Sequence, residues 1–177
     1  MASVDALDVA HGEGRAVSVL LGLGSNLGDR AAHIRRALEL LEKEPGIQVL
    51  RVSTLRETDP VGGPPQGPYL NGAAELRTDL DPSALLGLLH RIEAALGRVR
   101  SVPSAPRQID LDLLLYGDRQ LKTDVLEIPH PRVLERVFVL EPLCEIAPER
   151  IHPCTGRTLR EHLEALRGRQ LSRSRAT

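Results

Sequence analysis

The chain has 177 residues, 41% of them apolar and 27% charged, and 23 basic against 24 acidic side chains leave a formal net charge of -1. That length suits one domain of ordinary size, the apolar content excludes a wholly disordered chain, and the charge balance excludes the overall basic field of a duplex nucleic-acid binder. The longest apolar runs, such as Val17 to Leu23, fall far short of the ~20 residues that span a bilayer, and the N-terminus lacks a basic-then-apolar signal pattern, so no membrane segment and a cytoplasmic location are expected.

Residues 1–15 are polar and aperiodic and are expected to form a loose extension ahead of a single domain over 16–168. Val17 to Leu23 has the pattern of a buried strand, and Gly24-Ser25-Asn26-Leu27-Gly28 that of a tight glycine turn. Ile34, Ala37, Leu38 and Leu41 recur at helical spacing until Pro45-Gly46 stops the helix. Ile47 to about Arg56 suits a second strand whose shift of phase implies a bulge. Pro60 to Pro68 holds four prolines and three glycines in nine residues and must be a loop. Asn71 to Thr78 is a third strand. Asp81 caps a second helix with Pro82 at its first position, Leu85, Leu88, Leu89, Ile92 and Leu96 on its apolar face, and Gly97 at its end. After a polar loop from Arg98 to Arg107, Ile109 to Tyr116 alternates cleanly, with Ile109, Leu111, Leu113 and Leu115 on one face and Asp110 and Asp112 on the other.

The order βαββαβ is that of a ferredoxin-like α+β domain, an antiparallel sheet covered by two helices. Elaborations follow: a hairpin within Gly117 to Leu126, a rigid Ile128-Pro129-His130-Pro131 turn, a helix from Val133 to Leu143 ended by Pro142, a last helix from Thr158 to Leu166, and a fraying basic tail over 169–177. Cys144 and Cys154 are too few for a disulfide framework and are expected as free thiols.

The strongest chemical signal is Arg107-Gln108-Ile109-Asp110-Leu111-Asp112. Alternation places both carboxylates on one side of a strand, where their repulsion is relieved by a divalent cation of the kind held by one or two carboxylates plus substrate phosphates. Arg98, Arg100 and Arg107 precede them, and planar guanidinium forks suit the oxygens of a triphosphate. Only Lys43 and Lys122 are lysines among the 23 basic residues, so arginine abundance alone carries no such message. Neither lysine follows a glycine, which excludes a P-loop, and the Gly22-to-Gly28 spacing is wrong for a dinucleotide fingerprint. The chain has no tryptophan. Of its rings Tyr69, Tyr116 and Phe138, the first and last flank proline-marked loops and could clamp one flat heterocycle, with Thr58 and Asn71 reading its edge. His152 and Cys154 are too few for a zinc site.

Assembled, these segments resemble the hydroxymethyl-dihydropterin pyrophosphokinase family of folate biosynthesis from about Val17 to Glu149. The resemblance rests on Leu23-Gly24-Ser25-Asn26-Leu27-Gly28, Thr58 to Asn71 ending in Tyr-Leu-Asn, Gly97-Arg98-Val99-Arg100, Ala105-Pro106-Arg107 running into Ile-Asp-Leu-Asp, and Pro129-His130-Pro131 to Phe138. It implies an αβα ferredoxin-like fold and transfer of diphosphate from ATP to the pterin's hydroxymethyl oxygen, with release of AMP. It also implies two Mg²⁺ ions on Asp110 and Asp112, and Arg98 and Arg107 on the triphosphate and its transition state. Glu93, His130 and Arg136 would complete the ATP site. Tyr69 and Phe138 would sandwich the pterin, with Thr58, Val61 and Asn71 at its edge and Asn26 a further pocket residue. The partners implied are these two substrates, without nucleic acid or membrane, acting on a monomer. The sequence departs from many members at Val102-Pro103-Ser104, where an aromatic or basic residue is common, and at Asp59, where proline is frequent. Two rivals share these features: a nucleotidyltransferase with the same carboxylate logic, and a ligand-binding regulatory module on the same fold.

Overall fold

The computed structural model describes residues 16–60, 64–98 and 105–174. Strand β1 (Val17–Ser25) runs through the middle of the sheet, and its alternation serves two cores at once. Val19, Leu21 and Leu23 join the apolar faces of helices α1 (Arg30–Glu42) and α2 (Pro82–Ala95), whereas Leu20 faces helices α3 (Val137–Ile146) and α4 (Leu159–Ser174). Strands β2 (Ile47–Val52), β3 (Arg56–Thr58), β4 (Tyr69–Thr78) and β5 (Asp110–Tyr116) complete an antiparallel sheet in the order β2-β4-β1-β5, with β3 on the same edge of β4 as β2. This is the expected α+β, ferredoxin-like core, and α3 and α4 on its second face make it an αβα sandwich. No helix among the described residues is long and apolar enough to cross a membrane.

The local chemistry of α1 and α2 follows the sequence closely. Asp29 Oδ1 accepts from Ala32 N at the start of α1, and Asp81 Oδ1 accepts from Ser83 N and Ala84 N at the start of α2. Both thiols are free as expected, Cys144 half-buried and Cys154 exposed.

Several elements differ from the sequence reading, each for an identifiable reason. Gly24 is not a turn residue but an extended position of β1, and within the expected Gly24-to-Gly28 turn it is Gly28, at φ +68°, that uses the left-handed freedom of glycine. The single strand expected over Ile47 to Arg56 breaks at 53–55 into β2 and β3. There Ser53 Oγ accepts the Ala73 N–H at 2.9 Å, doing by side chain what the interrupted ladder does not. Gly72 leaves the room that Leu55 needs in this bend, since a Cβ on it would come within 2.6 Å of Leu55 Cδ2. In β5 a bulge opposite Leu20 and Leu21 shifts the register, so Leu115 leaves the face of Leu111 and Leu113 and packs with Leu114 under α3 and α4.

The hairpin lies later than expected, as β6 (Leu121–Lys122) and β7 (Glu127–Ile128). Residues 131–135 are turns, with Val133 buried in the second core, so α3 begins only at Val137. It then passes through Pro142 and ends at Ile146 instead of stopping at the proline, which removes one hydrogen bond, to the Phe138 carbonyl. Helix α4 runs on to Ser174, past the end of apolar periodicity at Leu166, on good helix formers such as Arg167, Gln170 and Leu171.

Ser53→Ala would leave the buried Ala73 N–H without its acceptor. It is expected to cost about 1–3 kcal/mol of unfolding free energy, read by urea denaturation.

Candidate active site

Helices α3 and α4 cover only part of the second sheet face, and the open part is built by register. Asp110 lies opposite Gly24 and Asp112 opposite Gly22 across the β1–β5 ladder, while Asn71 lies opposite Gly24 on the β4 side. With no side chain on β1 between them, the carboxylates and Asn71 look over a bare strip of backbone. A cavity of about 310 Å³ stands on it, lined by Gly22, Gly24, Thr58, Tyr69, Asn71 and Phe138 among others, with Asp110 and Asp112 at its inner end. A second cavity of about 390 Å³ contains Glu93, Arg98, Leu86 and Val125 and meets the first at Arg107, Asp110, Asp112 and His130.

The shared wall is dense in charge. Asp110 accepts from Arg107 Nη1 at 2.7 Å through Oδ2, and Arg98 Nη1 lies 2.8 Å from its Oδ1. Arg98 also pairs with Glu93, whose Oε1 accepts the Leu111 N–H at 2.8 Å and so ties α2 to β5. Glu93 is 2% exposed, and burial raises its carboxyl pKa. Asp112 has no hydrogen bond or ion pair among the described residues. Its pKa is pushed up to about 7, first by burial and then by the charges of Asp110 and Glu93.

His130 is fixed by two backbone bonds. Its N–H donates to Leu114 O at 2.9 Å, and its Nδ1 accepts from Arg132 N at 3.1 Å. The second bond leaves the proton of the neutral ring on Nε2. Burial, with the charges of Arg136 and Arg132, lowers the His130 pKa, so the ring is a neutral donor.

On the other side, Asn71 Nδ2 donates to Thr58 Oγ1 at 2.6 Å, pairing the two edge-reading side chains across β3 and β4. Tyr69 and Phe138 line the same cavity without touching, since the only ring contact among the described residues is between His152 and His162. Burial raises the Tyr69 pKa; its hydroxyl stays protonated and donates to Gln66 Oε1 at 3.4 Å.

Comparison with known proteins gives the chain's family. The family model for 7,8-dihydro-6-hydroxymethylpterin-pyrophosphokinase matches residues 20–148. The chain belongs to that pyrophosphokinase family. A 2-amino-4-hydroxy-6-hydroxymethyldihydropteridine pyrophosphokinase of Methylorubrum extorquens is 47% identical over 146 residues, covering 82% of this chain and 91% of the relative. The Bacillus subtilis protein of the same name is 46% identical over 129 residues, covering 73% and 77%. The Schizosaccharomyces pombe folic acid synthesis protein fol1 is 42% identical over 146 residues, but this chain spans only 20% of its length. A Plasmodium falciparum HPPK-DHPS crystal structure with pterin and p-hydroxybenzoate matches the fold at TM-score 0.70 and 16% identity, over 91% of this chain and 45% of that one. The chain is thus a pyrophosphokinase-family enzyme of folate synthesis.

Among the residues singled out from sequence, Thr58, Tyr69, Asn71, Phe138, Arg107, Asp110, Asp112 and His130 line the first cavity, and Glu93 and Arg98 the second. Two sit elsewhere than the sequence reading put them. Arg136 lines the ring-bearing cavity, its guanidinium 5.5 Å from the centre of the Phe138 ring, and does not line the Glu93 side. Asn26 lines neither cavity. It exchanges bonds with Arg107, backbone N to Arg107 O at 3.0 Å and Oδ1 from Arg107 N at 2.7 Å, while its Nδ2 donates to Gln66 Oε1 at 2.7 Å. It therefore holds an arginine and a loop in place. Val61, Arg100 and the segment Val102-Pro103-Ser104 lie outside the described residues. Sequence reasoning missed Gln66, although it is the one hydrogen-bonding side chain in the Pro60-to-Pro68 loop, and Arg132, which also lines the first cavity.

The raised Asp112 pKa has a consequence for stability. The folded chain keeps a proton there up to about pH 7 that the unfolded chain releases near the ordinary aspartate value of 3.8, so this group's contribution to stability falls as pH rises between those values. In EDTA, Asp112→Asn is expected to raise the unfolding free energy at pH 8 by an amount on the order of a few kcal/mol, and the gain should shrink toward pH 4 in urea titrations.

Proposed function

We propose that the chain transfers the terminal diphosphate of ATP to the hydroxymethyl oxygen of 6-hydroxymethyl-7,8-dihydropterin, giving AMP and the pterin diphosphate. The observation that carries this reading is the position of Asp110 and Asp112 at the junction of two cavities, one with separated rings and a paired polar edge, the other with arginine and a neutral histidine. The pterin would lie between Tyr69 and Phe138, with Thr58 and Asn71 at its edge. The glycine strip of β1 gives its bicyclic ring a floor.

Two Mg²⁺ ions fit the donor set. Asp110 and Asp112 are hard oxygen ligands on one strand face, the kind of one- or two-carboxylate set that holds Mg²⁺ together with phosphate oxygens and water. Bound there, the ions would neutralise phosphate charge and polarise the transferred group. The chain's own residues account for the rest. Arg98 and Arg107 both pair with Asp110. A triphosphate, more highly charged and able to take both prongs of a guanidinium, draws them off and frees the carboxylate oxygens. Glu93 keeps Arg98 at the site during that exchange, and Asn26 does the same for Arg107 through its backbone. His130 offers Nε2–H to a phosphate oxygen. Its Nδ1 is occupied, so it does not act as a base there, which fits a transfer governed by positioning and charge stabilisation.

The test is AMP release from ATP and Mg²⁺ with and without the hydroxymethyl pterin. Pterin-dependent AMP supports the reading, AMP formed only with another acceptor favours a nucleotidyltransferase, and binding without turnover a regulatory module. Asp110→Ala and Asp112→Ala are each expected to lower kcat by roughly 10²–10³-fold or more with the circular dichroism spectrum unchanged. Gly24→Ala would place a Cβ 3.1 Å from Asn71 Oδ1. It is expected to raise KM for the pterin several-fold and leave KM for ATP within about twofold, as steady-state kinetics would show.

A further inference from the structure

The two sides of the ring-bearing cavity are carried by elements with no common core. Phe138 stands at the start of α3, whereas Thr58 ends β3, a three-residue strand with no buried residue. Beyond its ladder with β4, β3 is held at Glu57 by Arg30 of α1, Nη2 to Oε2 at 2.7 Å, and at its entry by α3. Glu145 Oε1 accepts the Thr54 N–H at 2.7 Å and its Oε2 accepts the Thr54 hydroxyl at 2.7 Å, just ahead of β3. Arg56, the first residue of β3, lies 3.5 Å from both Glu145 Oε2 and Glu141 Oε2.

The spacing gives this grip its meaning. Phe138, Glu141 and Glu145 fall three and four residues apart, so they share one stripe of α3. From 138 to 145 the helix rises about 10 Å, and from Thr54 to Thr58 an extended chain covers about 13 Å. The two segments are joined by Glu145 at Thr54 and by Glu141 and Glu145 at Arg56, and at their other ends Phe138 and Thr58 line the same cavity. The bend that brings Thr54 to Glu145 is the one made by Ser53 and Gly72.

We propose that Glu145 is a positioning residue for the pterin slot: by holding Thr54 through both carboxylate oxygens it sets the separation between the Phe138 ring and the Thr58–Asn71 pair. The proposal rests on reading this cavity as the pterin site. Thr54 and Glu145 are solvent-facing, and exposed pairs of this kind contribute little to global stability. The effect of removing the grip is therefore expected in ligand geometry and not in folding.

The test is steady-state kinetics of Glu145→Ala, Glu145→Gln and Thr54→Val, with melting curves alongside. Glu145→Ala is expected to raise KM for the pterin about five- to twentyfold, with KM for ATP within twofold and the melting temperature nearly unchanged. Glu145→Gln restores the wild-type value to within two- or threefold, since its amide oxygen accepts the Thr54 N–H and its NH₂ donates to Thr54 Oγ1. Thr54→Val, which keeps only the backbone bond, falls between. The proposal is overturned by an unchanged pterin KM in Glu145→Ala, by an equal rise in both KM values, or by a Gln variant no better than the Ala variant. A wild-type chain that releases no AMP would sink the diphosphate-transfer reading instead. Titration of pterin fluorescence with the same variants then decides the positioning role, equal dissociation constants for wild type and Glu145→Ala counting against it.

Discussion

Three carboxylates, Glu93, Asp110 and Asp112, crowd the start of β5 beside the guanidiniums of Arg98 and Arg107, and the burial of this cluster governs the chemistry around it. Arg98 pairs with both Glu93 and Asp110 and Arg107 with Asp110, while burial first, and the charges of Asp110 and Glu93 second, push the Asp112 pKa up to about 7. Burial raises the cost of a carboxylate's charge, and a cation beside it lowers that cost. The same groups also fix the backbone. Glu93 Oε1 accepts the Leu111 N–H between the two aspartates, so the side chain that steadies Arg98 also sets where β5 begins. Charge and register are coupled here, and neither can be altered alone.

Much of this was legible in the sequence because it is periodic or local. The alternation of Ile109 to Leu113 placed Asp110 and Asp112 on one face, and the Asp81-Pro82 cap and the Leu85-to-Ile92 stripe defined α2. What was not legible depends on partners distant in sequence. The bulge that turns Leu115 to the other core answers to Leu20 and Leu21, about 95 positions away. The bend at 53–55 depends on Ser53 reaching Ala73 and on space above Gly72, neither of which leaves a trace in local pattern. α3 continues through Pro142 because packing of Leu140, Leu143 and Ile146 outweighs one lost backbone bond. Asn26 follows the same logic. Its type suited a ligand contact, but its partners are Arg107 and Gln66, which only the folded chain brings together.

Arginine shows how position outweighs composition. Most of the chain's arginine pairs are exposed, among them Arg30 with Glu57, Arg36 with Glu39, Arg160 with Glu149 and Arg167 with Glu141. Such pairs contribute little and would exchange for lysine at small cost. Arg150 is different, closing the far end of the second face with Ser18 and the buried Glu75. Arg98 and Arg107 differ again, because their partner Asp110 stands beside Asp112, a carboxylate without an ion pair among the described residues. Only in that setting does a guanidinium's preference for a doubly charged oxygen cluster become a means of recognition.

A sheet face can bind a flat molecule only where it lacks side chains, and β1 makes that change within one stripe. Leu20 packs beneath α3 and α4, while Gly22 and Gly24, next along the same face, leave the backbone bare between Asp112, Asp110 and Asn71. The strand therefore passes from core to cavity floor without changing direction. Stability is supplied where the leucines are, at roughly 1.5–3 kcal/mol per buried side chain, and the binding end is left free of that duty. The floor is thus a continuation of the core's central strand, and the walls come from other elements: α3 with Phe138, β3 with Thr58, and the arginines paired with Asp110.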